Sequence, residues 1–315
     1  MRVHKMYVFM INPVAGKGKG VQVVKHFLRE NNVSKKNYKT YYTDYPGHAI
    51  ELTKQIASLN KDKITMLIVV GGDGTFYEVL NGAKNFNQLP LAFVPVGSGN
   101  DFARGCDMPL NPKDCLNQIF KDNSFQPYWA GAYLTDHKPP RLESLFASSL
   151  GFGFDAEVAE RSNESNWKQW FNRLHLSVLV YVLGLIITIF KFKPKQLTLV
   201  VDGQERVLDQ IWMLTISNHP YFGGGMKIAP NATINKHTFY VTIVHQISRW
   251  KLLLLFMTVF FGQHTKLKEV ETFRASHLMI NSQEKLTYHA DGYTGQCYHC
   301  SVHKETTPRF VKRKK

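Results

Sequence analysis

Met66-Leu67-Ile68-Val69-Val70-Gly71-Gly72-Asp73-Gly74-Thr75 is the stretch whose reading decides the fold. A β-branched apolar run ending in a glycine cluster reads as a buried strand whose C-terminal end opens into a tight loop. Glycines there let backbone amides approach a phosphate closely, because no Cβ intervenes and left-handed backbone is accessible. Asp73 would repel a phosphate unless a metal ion lay between them. Thr75 adds a hydroxyl donor, and a helix is predicted to start near it and run through Glu78-Val79-Leu80. The helix N-terminus would contribute further amide donors and a favourable dipole. These features describe a nucleotide-phosphate loop, although no G-x-x-x-x-G-K-[ST] segment occurs in the chain.

Working outward, residues 6–11 predict a first strand that runs into Asn12-Pro13-Val14-Ala15-Gly16-Lys17-Gly18, followed by helical spacing from Val21 to Glu30. Residues 38–43 predict a second strand, Gly47 to Asn60 a second helix, and 64–70 the third strand. Leu91 to Val96 predicts a fourth, followed by Gly97-Ser98-Gly99-Asn100-Asp101-Phe102. Such alternation implies a parallel, helix-covered sheet. Its three glycine-bearing loops should gather at the carboxyl edge, where α/β folds bind ligands. After about Tyr128 strand-like runs dominate, at 145–150, 196–202, 210–217, 238–244 and 276–280. They predict a mostly antiparallel β domain interrupted by an apolar helix near 176–190. The expected organisation is an α/β nucleotide-binding domain over 1–130 and a β-rich domain over 131–299. The segment from about 300 to 315 is expected to return to the first.

The chain has 315 residues, 44% hydrophobic and 20% charged, as in an ordinary globular protein. Its formal net charge of +15 favours an anionic partner. No groove-reading helix or RNA-stacking module is recognisable, so nucleic acid is not an expected partner. The five cations between Pro308 and Lys315 leave two readings open, a solvated end or a membrane contact. Cys297-Tyr298-His299-Cys300 has zinc-knuckle spacing, yet Cys106 and Cys115 supply no matching pair, which favours reduced thiols. No leader of secretory type is visible at Met1. The apolar runs Leu176 to Phe190 and Leu252 to Phe261 are short for a bilayer span and are expected to be buried. Arg249-Trp250-Lys251 ahead of the second run also suits a segment lying in a membrane interface.

The order of motifs carries a resemblance. Asn12-Pro13-x-x-Gly16, the glycine cluster at 71–75 and Gly97-Ser98-Gly99-Asn100-Asp101-Phe102-Ala103-Arg104 come first. Gly151-Phe152-Gly153-Phe154-Asp155-Ala156, Tyr221-Phe222-Gly223-Gly224-Gly225-Met226, Ala229-Pro230-x-Ala232 and Asp291-Gly292 follow. Together they resemble the diacylglycerol kinase catalytic domain family, of the soluble bacterial lipid kinase type. The resemblance implies an α/β ATP-binding domain of NAD kinase/diacylglycerol kinase-like fold, a mainly antiparallel β-sandwich lipid domain and a cleft between them. It further implies that Asn12, Pro13, Gly16, Thr43, Gly71, Gly72, Asp73, Gly74, Thr75, Glu78, Ser98 and Asn100 line the nucleotide site. Asp73 and Asp101 would hold Mg²⁺, and Asp291 would be the general base. The implied activity is ATP-dependent phosphorylation of a hydroxyl of diacylglycerol or a related lipid. The implied setting is cytoplasmic, at the anionic inner face of the cell membrane, with a homodimer left open.

Three positions depart from the family pattern. Ser148 stands where asparagine is common. Lys236-His237 replaces an Asp-Gly linked to a structural Mg²⁺, and a lysine ammonium cannot ligate that ion. Tyr293 replaces the glutamate of Asp-Gly-Glu. These losses leave two alternatives: a catalytically weakened lipid- or nucleotide-binding protein, or an NAD kinase-like enzyme. Asp-Gly pairs are also most often plain turns, so Asp291-Gly292 has a purely structural reading beside the catalytic one.

Overall fold

In the computed structural model, which describes residues 6–60, 63–122, 124–136, 142–163 and 186–314, the decisive stretch forms β3 (Ile64–Gly71). It lies parallel to β1 (Met6–Ile11) on one side and β4 (Leu91–Pro95) on the other, with β2 (Tyr38–Tyr42) outside β1. A central parallel strand covered by helices has no water-facing side, which is why β3 is a continuous apolar run rather than an alternating one. Edge strand β2, Tyr-Lys-Thr-Tyr-Tyr, has no fully buried residue.

The covering helices are α1 (Lys19–Glu30), α2 (His48–Asn60), α3 (Asp73–Gly82), α4 (Asp101–Gly105) and α5 (Pro112–Lys121). Helix α3 begins at Asp73, two residues earlier than the sequence suggested. Gly72 is extended and takes the capping place, so Asp73 sits in the first turn, where a carboxylate favours the dipole. In α5, the Asn111 side chain accepts the amides of Lys113 and Asp114 ahead of Pro112, a strong start signal.

The first sheet is completed from the far end of the chain. β15 (Arg309–Val311) lies beside β4 and pairs antiparallel with β5 (Gln126–Tyr128). Neither reading of the basic tail describes it. Arg309 is 1% exposed, donates to the carbonyls of Ala83 and Lys84 and pairs with Glu305. Lys312 donates to the Asp122 carbonyl, and Arg313 to that of Pro127. The tail cations anchor the chain end to the first sheet.

The second sheet has nine strands and is antiparallel throughout: β6 (Gly131–Thr135), β7 (Ser144–Phe146), β8 (Ser149–Gly153), β9 (Lys195–Val201), β10 (Gln204–Ser217), β11 (Phe239–His245), β12 (Val270–Ala275), β13 (His277–Ala290) and β14 (Tyr293–Lys304). Long strands β10 and β13 each pair with β9 in their first halves and with β8 in their second. The expected boundary at residue 299 falls inside β14, which stays in this sheet to Lys304. Helix α6 (Phe154–Asn163) follows β8 directly.

Of the predicted apolar helix at 176–190, residues 176–185 lie outside the described residues, and 186–191 are helical. The second apolar run forms the helix Arg249–Val259, buried on the side of Leu252, Leu255 and Val259 and open on the other. No helix among the described residues is long and apolar enough to cross a membrane. All four cysteines are buried free thiols, and burial pushes those of Cys106, Cys115 and Cys297 up to about 12.

Candidate active site

Three strand ends build one rim. Asn12, just past β1, donates from Nδ2 to Thr75 Oγ1 at 3.1 Å, and its Oδ1 accepts the Val14 amide. Gly16, Lys17 and Gly18 then follow one another in left-handed backbone, turning the chain back on itself. A Cβ at Gly16 would lie 2.4 Å from the Val96 carbonyl oxygen, so only glycine fits there. A Cβ at Gly97 would lie 2.6 Å from Gly72 Cα, so the loops after β3 and β4 touch backbone to backbone. Above Gly74, in the first turn of α3, there is open space. The start of a helix with room beside it is the kind of place where phosphate can bind.

The other expected nucleotide residues divide by task. Pro13 is half-buried in the first loop, Ser98 is exposed in the loop after β4, and Thr43 is buried with its amide on the Ile11 carbonyl. Asn100, left-handed, closes residues 97–100 by bonding both the amide and the carbonyl of Gly97. Glu78 turns away from the rim: its two oxygens accept the amides of Gly47 and Ala49, holding the start of α2 against α3.

The two expected metal ligands are tied into backbone. Asp73 Oδ1 accepts the Phe102 amide at 3.0 Å. Asp101 accepts the amides of Gly224 at 2.9 Å and Gly225 at 2.7 Å, one on each oxygen. Gly223, Gly224 and Gly225 are all left-handed, so their amides turn inward as a nest around that carboxylate. Asp101 is thus the strap between the first sheet's rim and the second domain's glycine loop. Its burial, with the charge of Asp73 beside it, raises its carboxyl to about 6; burial raises Asp73 as well. Among the described residues no group of three or more His, Cys, Asp or Glu side chains could hold a metal. A magnesium ion bound through one carboxylate, nucleotide phosphates and water needs no such cage.

Asp291 faces this rim from the second sheet. It is the first residue of a two-residue hairpin between β13 and β14, with φ of 49° at Asp291 and 90° at Gly292. Both values are those of a type I′ turn, so the plain-turn reading of the pair holds. The side chain does more than turn the chain. Its Oδ1 accepts the amides of Ser148 at 2.8 Å and Ser149 at 3.0 Å, and its Oδ2 the amide of Ala147 at 2.5 Å. Those amides are withdrawn from the strand ladder, which is why the run expected at 145–150 is broken into β7 and β8. Asp291 is 7% exposed, and burial lifts its carboxyl to about 6 against the pull of the three amides. The charge of Asp73 also raises it.

Comparison with known proteins gives the same picture. The diacylglycerol kinase catalytic domain model matches residues 6–126, and the YegS C-terminal NAD kinase beta sandwich-like domain model matches residues 148–312. The Bacillus subtilis protein YtlR is 35% identical over 289 residues, covering 91% of this chain and 92% of that one. The chain belongs to the diacylglycerol kinase catalytic domain family. This makes it a lipid kinase. A diacylglycerol kinase of Mycobacterium tuberculosis is 29% identical over 226 residues, 72% of this kinase and 69% of that protein. The fold is that of a crystallised diacylglycerol kinase from Bacillus anthracis, with a TM-score of 0.72 at 17% identity over 98% of this chain and 97% of that one.

The departures from the family pattern have local causes in this kinase. Tyr293, in place of a second carboxylate, stacks on Tyr77 of α3 at 5.2 Å, and Tyr77 is bonded to Tyr133 by their hydroxyls. At Lys236-His237 the loop closes on Asn235, whose Oδ1 accepts the amides of His237 and Thr238. Ser148 contributes its amide to Asp291, and its Oγ, buried, has no partner among the described residues.

Two supporting networks were not read from the sequence. Asp155 accepts bonds from Thr215 Oγ1, the Ala156 amide and the His289 ring, and His289 stacks against Phe222. His289 lies in β13 two residues before Asp291, close to the turn in sequence, and that nearness was the available signal. The second network runs from Lys304 to Asn218 Oδ1, and from Asn218 Nδ2 to the Ala147 carbonyl, behind the amides that hold Asp291. Burial lowers the Lys304 ammonium to about 7.

Proposed function

We propose that this kinase transfers the γ-phosphoryl group of ATP to a hydroxyl of diacylglycerol or a related lipid, with Asp291 accepting the hydroxyl proton. The observation that carries the reading is the Asp291 carboxylate, buried and fixed by three amides, with the charge of Asp73 raising its carboxyl further. Three bonds leave about one of the carboxylate's four lone-pair sites for a fourth donor. A carboxyl at about 6 is mostly ionised at neutral pH yet far more basic than an ordinary aspartate, which suits proton abstraction.

The amides of the first turn of α3 and of the loop after β1 would orient the phosphates, with Thr75 held ready by Asn12. As the lipid oxygen bonds to the γ-phosphorus, its proton passes to Asp291 and the bond to the β,γ-bridging oxygen breaks, releasing ADP. Mg²⁺ held by Asp73 with the nucleotide phosphates would neutralise the accumulating charge. The setting we propose is the anionic inner face of the cell membrane, on the cytoplasmic side, consistent with a net charge of +15. Phosphotransfer from labelled ATP to a panel of diacylglycerols, long-chain bases and isoprenoid alcohols tests the reading. A labelled lipid that disappears with Asp291→Asn supports it, and absence of any labelled lipid sinks it.

A further inference from the structure

The helix Arg249–Val259, Arg-Trp-Lys-Leu-Leu-Leu-Leu-Phe-Met-Thr-Val, is apolar on opposite sides. Its inner stripe of Leu252, Leu255 and Val259 packs with Trp212, Tyr240 and Val244 of the second sheet. The outer stripe is as apolar and faces water: Trp250, Leu254 and Met257 are 70%, 69% and 71% exposed, and Phe261 beyond the helix is 77% exposed. A helix that is hydrophobic all round is ordinarily covered all round, and a contiguous apolar strip of this kind marks a contact surface. Phe190 extends the strip, meeting Trp250 edge-on at 5.3 Å. An open groove of about 540 Å³ adjoins them, with Phe190, Trp212, Ile247 and Arg249 in its lining.

The margin of the strip is cationic. Lys191 and Lys193 follow Phe190 and are exposed; Lys266 and Lys268, exposed too, lie in the turn that packs on the end of the helix. The acids nearest in sequence are already paired, Glu269 with Lys251 and Glu271 with Arg206. Trp, Phe and Leu on one stripe with lysines at its edge are the chemistry of a segment lying in the headgroup layer of an anionic bilayer. A second copy of this chain would set the same lysines against one another.

We propose that the strip of Trp250, Leu254, Met257 and Phe261 seats on an anionic bilayer and holds the kinase on the surface that carries its lipid. The inference deepens the lipid-kinase reading and rests on it. The test is co-sedimentation of the full chain with vesicles of phosphatidylcholine alone, or with added phosphatidylglycerol, in the absence of ATP. The wild type pellets with the anionic vesicles, less as salt rises. The triple variant Trp250→Ser, Leu254→Ser, Met257→Ser binds on the order of a hundredfold more weakly, with an unchanged unfolding temperature because all three side chains point outward. Lys191→Glu with Lys193→Glu weakens binding to the anionic vesicles alone. The proposal is overturned if the wild type ignores anionic vesicles or if the triple variant pellets like the wild type. It is equally overturned if the wild type is a dimer that the triple variant converts to a monomer, which would assign the strip to a second copy. A wild type that ignores anionic vesicles yet phosphorylates lipid in detergent overturns the docking surface alone. Binding retained with phosphorylation absent removes the phosphotransfer reading instead.

Discussion

Asp101→Ala separates a loop tie from a metal ligand. In the wild type its two oxygens hold the Gly224 and Gly225 amides of the second domain's glycine loop. Truncation leaves two part-buried amides without their acceptors, and water can take up part of that loss. Against this stands the cost of ionising a carboxyl whose folded value is about 6 rather than the ordinary 3.8. That cost is present above pH 6 and disappears as pH falls toward 4, so Asp101 supports folding more in acid than in base. At about 1.4 kcal/mol per unit, the difference between pH 5 and pH 8 is about 1.5 kcal/mol. Urea denaturation should therefore show Asp101→Ala losing about 1.5 kcal/mol more stability, relative to the wild type, at pH 5 than at pH 8. The slope contributed by Asp291 is common to both proteins and cancels. A variant as stable as the wild type at pH 5, or one that loses more at pH 8 than at pH 5, would refute the strap. So would a protein that is stabilised by Mg²⁺ alone through Asp101.

Two other substitutions probe the rim and the departed carboxylate. Gly97→Ala drives a methyl into Gly72 Cα, so nucleotide affinity, read by calorimetry, should fall at least tenfold, while Gly74→Ala, facing open space, should leave stability within about 0.5 kcal/mol. Tyr293→Ala removes the stack on Tyr77 and should cost about 1 kcal/mol in urea; no loss would mean that the ring is idle there.

The parallel sheet was legible because burial on both faces forces β1, β3 and β4 into unbroken apolar runs, and because glycines at their ends mark where backbone must approach backbone. The meeting of the glycine loops after β3 and β4 was legible for the same reason. The roles of individual carboxylates were not. Asp73, Glu78, Asp101 and Asp291 look alike in a sequence, yet each is assigned by the amides it meets, and those come from residues 29 to 144 positions away. The tail misled because charge suggested a solvated end or a membrane contact, whereas Arg309 is enclosed with two carbonyls and Glu305 satisfying it. The run 252–261 misled in the other direction: apolar composition predicts burial, and only packing reveals that one face has no cover within the chain's described residues.

The central claim is that Asp291, fixed by the amides of residues 147–149, takes the proton of a lipid hydroxyl. Its most direct measurement is the single-turnover rate of phosphate transfer from ATP to the accepting lipid, in wild type and Asp291→Asn, across pH 5 to 8. The account predicts a wild-type rate that falls as pH drops through about 6 and a variant slower by about 10²–10⁴ at neutral pH, with nucleotide binding retained. A variant within a few-fold of the wild type, binding nucleotide and keeping the same acid limb, would contradict it.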